Sequence, residues 1–354
     1  MSDNFVNLHV HTAQGSLLDS ILTVKELVNF AKENGQKAIA VTDHGKMHSF
    51  VDQVKACKEA GIKPIIGCEV YEVDNQAEKA DTKDYKQPRY HLVLLAKNET
   101  GLKNLFKIVS NACVDGMYKK PRTSLNIIEQ NEWGKGIICL TACQVGRMSR
   151  LLVDGNETEA WQLWNKLEWI FDDVFMEVQS HDTPDQAEAN AKIAAFIRKY
   201  DLPYTITTDA HMLSKEDIDA HSVFVEIGEG REVGESYVDC YLQTENDVLR
   251  TLSKQFDEDF IKKGCEMSVK IADMIDDIDI GLGQPNQMPE VKIEGKFDSH
   301  FDYLRHLVYA TFNKKFGWMS EVEQQTRRNR IEMELDVLKY VDYIDYFIML
   351  YMPV

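Results

Sequence analysis

Side chains able to bind metal recur beside short apolar runs along this chain. They are His9 and His11 in Asn7-Leu8-His9-Val10-His11, His44 in Ala40-Val41-Thr42-Asp43-His44, and Glu69 in Ile65-Ile66-Gly67-Cys68-Glu69. His91 follows in Arg89-Tyr90-His91-Leu92-Val93, then Asp209 and His211 in Ile206-Thr207-Thr208-Asp209-Ala210-His211. A further run, Ile137-Ile138-Cys139-Leu140-Thr141-Ala142-Cys143, ends in a thiol. A single histidine at a strand end is more often a hydrogen-bonded rim residue than a ligand. The repetition argues for one shared polynuclear metal site.

The spacing supports that chemistry. His9-x-His11 puts both imidazoles on one face of a strand, because side chains alternate with period two. Asp209-x-His211 repeats the pattern. Glu69 has two oxygens and suits a bridge between metals. His44, His91 and Cys143 come from the runs between, and Asp19 lies in the loop after the first run. Imidazole, carboxylate and thiol donors together suit Zn²⁺, Mn²⁺ or Fe²⁺ better than Mg²⁺ or Ca²⁺, which prefer oxygen. A cluster of roughly two or three such ions lowers the pKa of a bridging water and orients a phosphate. Phosphoester hydrolysis is the chemistry expected.

Such donors must be carried by elements that meet at one rim. Strands are expected at residues 6–11, 38–43, 64–72, 90–96, 136–141, 174–179 and 203–208, each rich in Val, Ile, Leu or Tyr. Amphipathic helices are expected at 23–34, 48–60, 99–112, 157–171 and 186–200. Thr23 and Glu26 form a capping-box pair at the first helix, and Gly35 and Gly61 sit at helix ends. No helix is visible between the third and fourth strands, where 74–88 is a polar loop. Trp161, Trp164 and Trp169 read as core anchors of one helix. Alternating units of this kind imply a parallel sheet. Only a closed barrel gathers nearly all strand ends on one face. The expected fold is α/β: a distorted seven-stranded (β/α) barrel over residues 1–280. Gly281–Pro289 reads as a linker, followed by helices at 298–316 and 320–342, so that 281–354 form a helical extension.

Composition sets outer limits. The chain has 354 residues, 44% of them hydrophobic, with 58 acidic against 40 basic side chains and a net charge of −18. That charge argues against DNA binding by the whole surface, though not against a local basic track. Seven cysteines, an odd number without a C-x-x-C, argue against a disulfide framework and for the reducing cytoplasm. Met1-Ser2-Asp3-Asn4 lacks a signal-peptide pattern, and no apolar stretch is long enough for a bilayer, so no membrane role is expected.

At this point the motifs carry a resemblance. His9-Val10-His11, Thr42-Asp43-His44-Gly45, Gly67-Cys68-Glu69, Thr141-Ala142-Cys143 and Thr208-Asp209-Ala210-His211 resemble those of the polymerase and histidinol phosphatase (PHP) family. Ser16-Leu17-Leu18-Asp19, Met117-Tyr118-Lys119-Lys120-Pro121-Arg122, Met176-Glu177-Val178-Gln179-Ser180-His181 and Arg330–Leu338 narrow the likeness. They are similar to the N-terminal part of the alpha subunits of bacterial C-family replicative polymerases. The resemblance implies a trinuclear site with nine ligands: His9, His11, Asp19, His44, Glu69, His91, Cys143, Asp209 and His211. His9, Glu69, Asp209 and His211 would form its catalytic core. Asp43 and His181 are expected behind the ligands, orienting them; a plain rim hydrogen bond is the alternative for His181. The activity implied is 3′-to-5′ proofreading hydrolysis of DNA. The carboxylates of a polymerase palm would lie beyond Val354. A missing segment or second chain is therefore expected to carry the polymerase core, and the apolar end Asp345–Val354 to pack on the barrel or on that partner.

Tyr118, Lys119, Lys120 and Arg122 make a compact basic group expected to contact single-stranded DNA, with Tyr118 stacking on a base. Three other functions remain open. The barrel could bind metals for stability alone and dock the polymerase core or other replisome subunits. It could be a small-molecule phosphatase of the histidinol-phosphate type. An amidohydrolase also begins with His-x-His but lacks the Glu69 and Cys143 pattern.

Overall fold

Short runs with apolar side chains on both faces form strands covered on both sides. The strands are β1 (Ala38–Val41), β2 (Lys63–Glu72), β3 (Tyr90–Ala96), β4 (Arg122–Thr123), β5 (Ile137–Leu140), β6 (Asp173–Gln179) and β7 (Tyr204–Thr207), all but the two-residue polar β4 drawn from such runs. The computed structural model describes residues 4–79, 87–230, 238–284, 291–293 and 295–351. Strand order is β1-β2-β3-β5-β6-β7, with β4 beside β2. Residues 7–11 fill the gap between the two ends. Ala40 N donates to Asn7 O at 3.0 Å and Thr42 N to Val10 O at 2.8 Å, while His11 N donates to Ala210 O at 2.8 Å. The run expected as a strand at 6–11 is thus an extended segment joined by a single parallel bridge, Val10 to Ala210. It closes the sheet into a distorted barrel.

The sheet is not wholly parallel. β3 runs antiparallel to both β2 and β5, whereas β1/β2, β5/β6 and β6/β7 are parallel. A parallel return needs a crossover of a dozen or more residues, usually a helix. The chain between β2 and β3 has no such helix among its described residues; 80–86 of the expected loop lie outside them. The chain turns back at the same rim, and His91 pairs with Tyr71 in the antiparallel register.

The interior is layered. Ile65, Val93, Leu95, Ile138, Leu140 and Phe175 pack inside the barrel with Val6, Leu8, Ala38 and Ala40. Ile271, Ala272 and Ile275, at the end of the helix Glu258–Met274, join the same cluster. Alternation along β2 and β6 then puts Glu69 and Glu177 on the faces of Ile65 and Phe175, one layer higher. Because β3 runs the other way, Val93 is matched in that layer by His91. A bend at His9 brings this residue into the polar layer directly after Leu8. Outside, Val24, Leu27, Val28 and Ala31 of the helix Val24–Glu33 cover Ile39, Val41 and Val10. That helix opens with the Thr23–Glu26 capping box.

The helices at Phe50–Ala60, Glu99–Val114, Glu157–Ile170 and Pro184–Tyr200 follow the amphipathic windows. The windows did not reveal Arg147–Val153, Ile218–Glu229, Glu245–Leu252 or Glu258–Met274. Of the three tryptophans, Trp164 is buried and Trp161 stacks on Tyr200 at 4.3 Å, but Trp169 is 78% exposed. Five residues of helix turn Trp169 by about 140° from Trp164, onto the far face.

Two compact units emerge, Met1–Ile280 and Gly281–Val354. In the second, helices His300–Ala310, Phe312–Phe316, Glu321–Tyr340 and Ile344–Tyr351 surround a small core of Tyr303, Leu304, Leu335, Ile348 and Val291. Ile348, from the apolar end expected to lie on the barrel or a partner, is buried in this core. Residues 285–290 of the linker and 352–354 lie outside the described residues.

Between the apolar layer and Glu69 stands Gly67. A Cβ there would lie 2.7 Å from Leu95 Cδ2, 2.8 Å from Thr42 Cγ2 and 2.9 Å from the Leu94 carbonyl. Gly67→Ala should cost about 1–3 kcal/mol through overpacking, read as a lower midpoint in thermal or urea unfolding; an unchanged midpoint would contradict the packing described.

Candidate metal centre

Eight of the nine expected ligands crowd around one space at the barrel rim. Glu69 is at its middle. Its Oε1 lies 3.2 Å from His9 Nε2 and 3.0 Å from His91 Nδ1, and its Oε2 lies 2.6 Å from His44 Nδ1 and 3.7 Å from His11 Nε2. Asp209 Oδ1 is 3.3 Å from His9 Nε2 and 3.1 Å from His11 Nε2. Asp19 Oδ2 is 2.6 Å from His44 Nε2 and 3.5 Å from His211 Nε2. The ninth, Cys143, is at the edge, its Sγ 3.6 Å from His91 Nδ1. Three donor groups result, each with its ligand atoms within 4.8 Å of one another: His9/His11/Asp209, His44/Glu69/His91 and His11/His44/His211.

The imidazoles are held in one tautomer by what lies behind them. His9 Nδ1 is 2.7 Å from Glu177 Oε1, and His211 Nδ1 is 2.7 Å from the Asp209 carbonyl. Both oxygens only accept, so each Nδ1–H donates and Nε2 is turned to the common space. His11 Nδ1 is 3.1 Å from Ser16 Oγ, whose proton goes to Asp43 Oδ1 at 2.9 Å. His11 therefore also presents Nε2.

The fit to cations rests on buried atoms that the protein leaves unsatisfied. His9 Nε2, His11 Nε2, His44 Nδ1, both Glu69 oxygens and Asp209 Oδ1 are buried and make no well-aligned hydrogen bond. Orphaned polar atoms are costly when scattered. Here all of them share one space, and a cation there would satisfy them together. The donor set fits Zn²⁺, Mn²⁺ or Fe²⁺.

A PHP domain profile matches residues 7–181. Asp209 and His211 lie beyond the match, and the fold returns them to it. Over 98% of its length the chain is 31% identical to the DNA polymerase III subunit alpha of Treponema pallidum, of which it covers 29%. It is 31% identical, again over 98% of its length, to that of Aquifex aeolicus, of which it covers 31%. The chain thus spans less than a third of the length of these relatives. Among solved structures it is similar to a protein of Bifidobacterium adolescentis assigned to the metal-dependent phosphoesterases, with 17% identity and a TM-score of 0.40, over 72% of this chain and 98% of that one.

Charge in the centre is set by burial against mutual attraction. Burial disfavours the charged form of His9, but Asp209, Glu177 and Glu69 outweigh it and hold its pKa well above the ordinary value. His44 follows the same balance, burial opposed by Glu69 and Asp19, and is raised to about 10. Burial dominates at His11 and, with the neighbouring His44 and His211, lowers it to about 3. Burial works against ionised Glu69 and Asp209, yet the imidazoles hold both well below the usual carboxylate range. At Cys143 burial, with Glu69 and Asp209 adding to it, pushes the thiol up. A thiolate ligand there would need a cation beside it.

Several supporting residues escaped the sequence reading. Glu177 is the partner of His9 and also accepts from Thr207 Oγ1 at 2.6 Å. Its signal was a carboxylate inside the apolar run Val174-Phe175-Met176-Glu177-Val178. Gln179 Nε2 donates to Asp209 Oδ2 at 3.2 Å. Asp43 is linked to His11 through Ser16 and also accepts from Thr12 N, Thr12 Oγ1 and Ser49 Oγ. A Cβ at Gly15 would fall 1.9 Å from Asp43 Oδ2, so the loop needs glycine to approach it. His181 lines the cavity, its Nε2 bonded to the Thr208 carbonyl at 2.7 Å, the rim bond named as its alternative.

The basic group divides. Arg122 is buried, and its guanidinium donates to the carbonyls of Gly116, Glu78 and Gln76 at 3.1, 2.8 and 3.1 Å. It ties the chain before β3 to the chain before β4 and does not reach DNA, contrary to expectation. Tyr118 is engaged by its own chain, with Arg122 Cζ 5.2 Å and Lys119 Nζ 5.4 Å from its ring. Lys120 is exposed and lines the cavity.

Metal ligation requires neutral imidazoles, while His9 and His44 favour the proton in the metal-free protein. Zinc affinity, measured by chelator competition, should therefore rise with pH below about 10, roughly tenfold per unit for each proton displaced; a flat profile between about pH 6 and 9 would rule this out. Glu177→Gln removes the anionic partner of His9 and should weaken metal binding about 10–100-fold without unfolding the barrel, as followed by the same titration alongside circular dichroism.

Proposed function

We propose that this chain is the PHP module of a polymerase like the DNA polymerase III alpha subunit, and that it hydrolyses phosphodiesters at the 3′ end of single-stranded DNA. On this reading residues 1–280 are the hydrolase barrel. Residues 281–354 begin the polymerase core, which a further segment or second chain completes, with replisome subunits as neighbours. The observation that carries the proposal is the convergence of buried, unsatisfied imidazole and carboxylate atoms on one space open to the surface. The similarity to polymerase subunits along 98% of the chain supports DNA over a small phosphate ester as substrate.

The residues that would hold metal are the nine named from the sequence, with Glu69 at their middle. Bound there, divalent ions supply an activated water at neutral pH and neutralise charge on the phosphate. The chain's own groups prepare that chemistry. Glu177, Ser16 and the Asp209 carbonyl fix the imidazoles of His9, His11 and His211 with Nε2 inward. Asp209 is itself fixed through Gln179. Lys120, 5.5 Å from the Tyr71 ring, brings positive charge to the mouth of an acidic protein, where a phosphodiester backbone is attracted.

The test uses the full chain purified without chelators, with metal counted and a 3′-labelled single-stranded oligonucleotide as substrate. Loss of 3′ nucleotides is expected with Mn²⁺ or Zn²⁺. Asp209→Asn and His9→Ala should each slow it by at least about a hundredfold, since even the outer partners of ligands are worth about 10–100-fold. Bound metal with no hydrolysis, and a melting point that falls when metal is removed, would leave the stabilising role instead.

A further inference from the structure

The cavity above the donors measures about 530 Å³. That exceeds the needs of a bare phosphate and lies among sites that hold whole small molecules (~300–1,000 Å³). Its polar lining comes from the candidate ligands with Lys120, Tyr71, Gln144, Gln179 and His181. One stretch of wall is different: Leu17, Leu18, Val225 and the backbone of Gly228. Leu17 is 70% exposed and Leu18 43% exposed, although both adjoin Asp19 of the centre.

The loop is built to keep them there. Leu18 has φ +64°, a left-handed conformation that leucine rarely adopts. Asp19 N and Ser20 N both donate to Ser16 O, at 3.1 and 3.0 Å. His221 Nε2 bonds the Asp19 carbonyl at 2.7 Å, from the helix Ile218–Glu229. The same helix presents Gly228 to the loop, where a Cβ would lie 2.7 Å from Leu18 O. A strained, over-determined turn that displays two leucines to water does nothing for the core. It makes sense as a contact surface for what enters the cavity.

A phosphodiester whose phosphorus lies over the donors brings its nucleoside into the same cavity. An unstacked base exposes two apolar faces, and an aliphatic wall covers one without reading its hydrogen-bonding edge. We propose that Leu17 and Leu18 form a nucleobase subsite that receives the unstacked base of the 3′-terminal nucleotide, whatever its identity. The proposal rests on the phosphodiesterase reading and gives that site its selectivity for ends that carry a base.

The experiment compares two single-stranded oligonucleotides with the full chain and Mn²⁺, one ending in an ordinary 3′ nucleotide and one in an abasic tetrahydrofuran nucleotide. The wild type should prefer the ordinary end by about tenfold or more in kcat/KM, the scale of contacts to one base. Leu17→Ser and Leu18→Asn should bring the ratio towards one. Asparagine tolerates the left-handed conformation, so the second variant keeps the turn, with melting and metal content as checks. A wild type indifferent to the base, or variants that keep its preference, overturns the subsite, the latter pointing to a protein contact instead. If the wild type hydrolyses neither end, the phosphodiesterase reading fails separately. The subsite is then judged by fluorescence of a 3′-terminal 2-aminopurine on binding to metal-loaded protein. A change lost in Leu17→Ser supports it; no change, or the same change in the variant, overturns it.

Discussion

Buried carboxylates gathered around one space must be neutralised, and much of this barrel follows from that constraint. Glu69 is 1% exposed, and Asp209, Asp19 and Glu177 lie around the same imidazoles. A buried anion without a partner is prohibitively expensive. Within the protein the compensation is protonation: His9 and His44 take up positive charge that burial alone would deny them. A divalent ion held there would do the same work with fewer groups and satisfy the orphaned atoms as well. The apolar layer beneath and the helices outside hold these donors at a spacing that water cannot relax.

The geometry of that spacing is stored in a few unfavourable backbone conformations. Asp209 and Ala142 have φ of +47° and +61° at the ends of β7 and β5, next to His211 and Cys143 in sequence or one residue removed. Aspartate tolerates the left-handed region better than alanine. Each case turns the chain sharply just where a strand gives way to a ligand. Strain of this kind persists only where surrounding contacts over-determine it, and the hydrogen bonds behind the imidazoles are those contacts.

Much of this could be read from the chain beforehand, for a physical reason. Ligands at the ends of apolar runs are visible because burial demands the run and chemistry demands the break. Six of the seven such runs are strands and the first is the extended segment that closes the sheet, whereas β4 (Arg122–Thr123) has no apolar run to show it. The orientation of β3 is not legible in its own run, although the missing helix before it is; the polarity of a strand depends on its connection, and a polar loop in place of a crossover helix already implies the reversal. Glu177 was quoted within a motif but given no role, because a single carboxylate inside a strand has no spacing partner to betray it. Arg122 was misjudged because a cluster of basic residues says nothing about which of them turns inward. Its three carbonyl partners come from segments more than forty positions upstream or from the adjacent turn at Gly116, and no local pattern records them.

The way residues 7–11 close the sheet has a temporal side. Val10 is bridged to Ala210, and His9 and His11 meet Asp209 across that seam. On a ribosome adding about 5–20 residues per second, the first stave of the barrel waits roughly ten to forty seconds for its neighbour. Until then β1 has an open edge and the earliest two imidazoles have no centre to join. The two ends of the donor set therefore come together only as the barrel closes, and a cation held between them would report that closure.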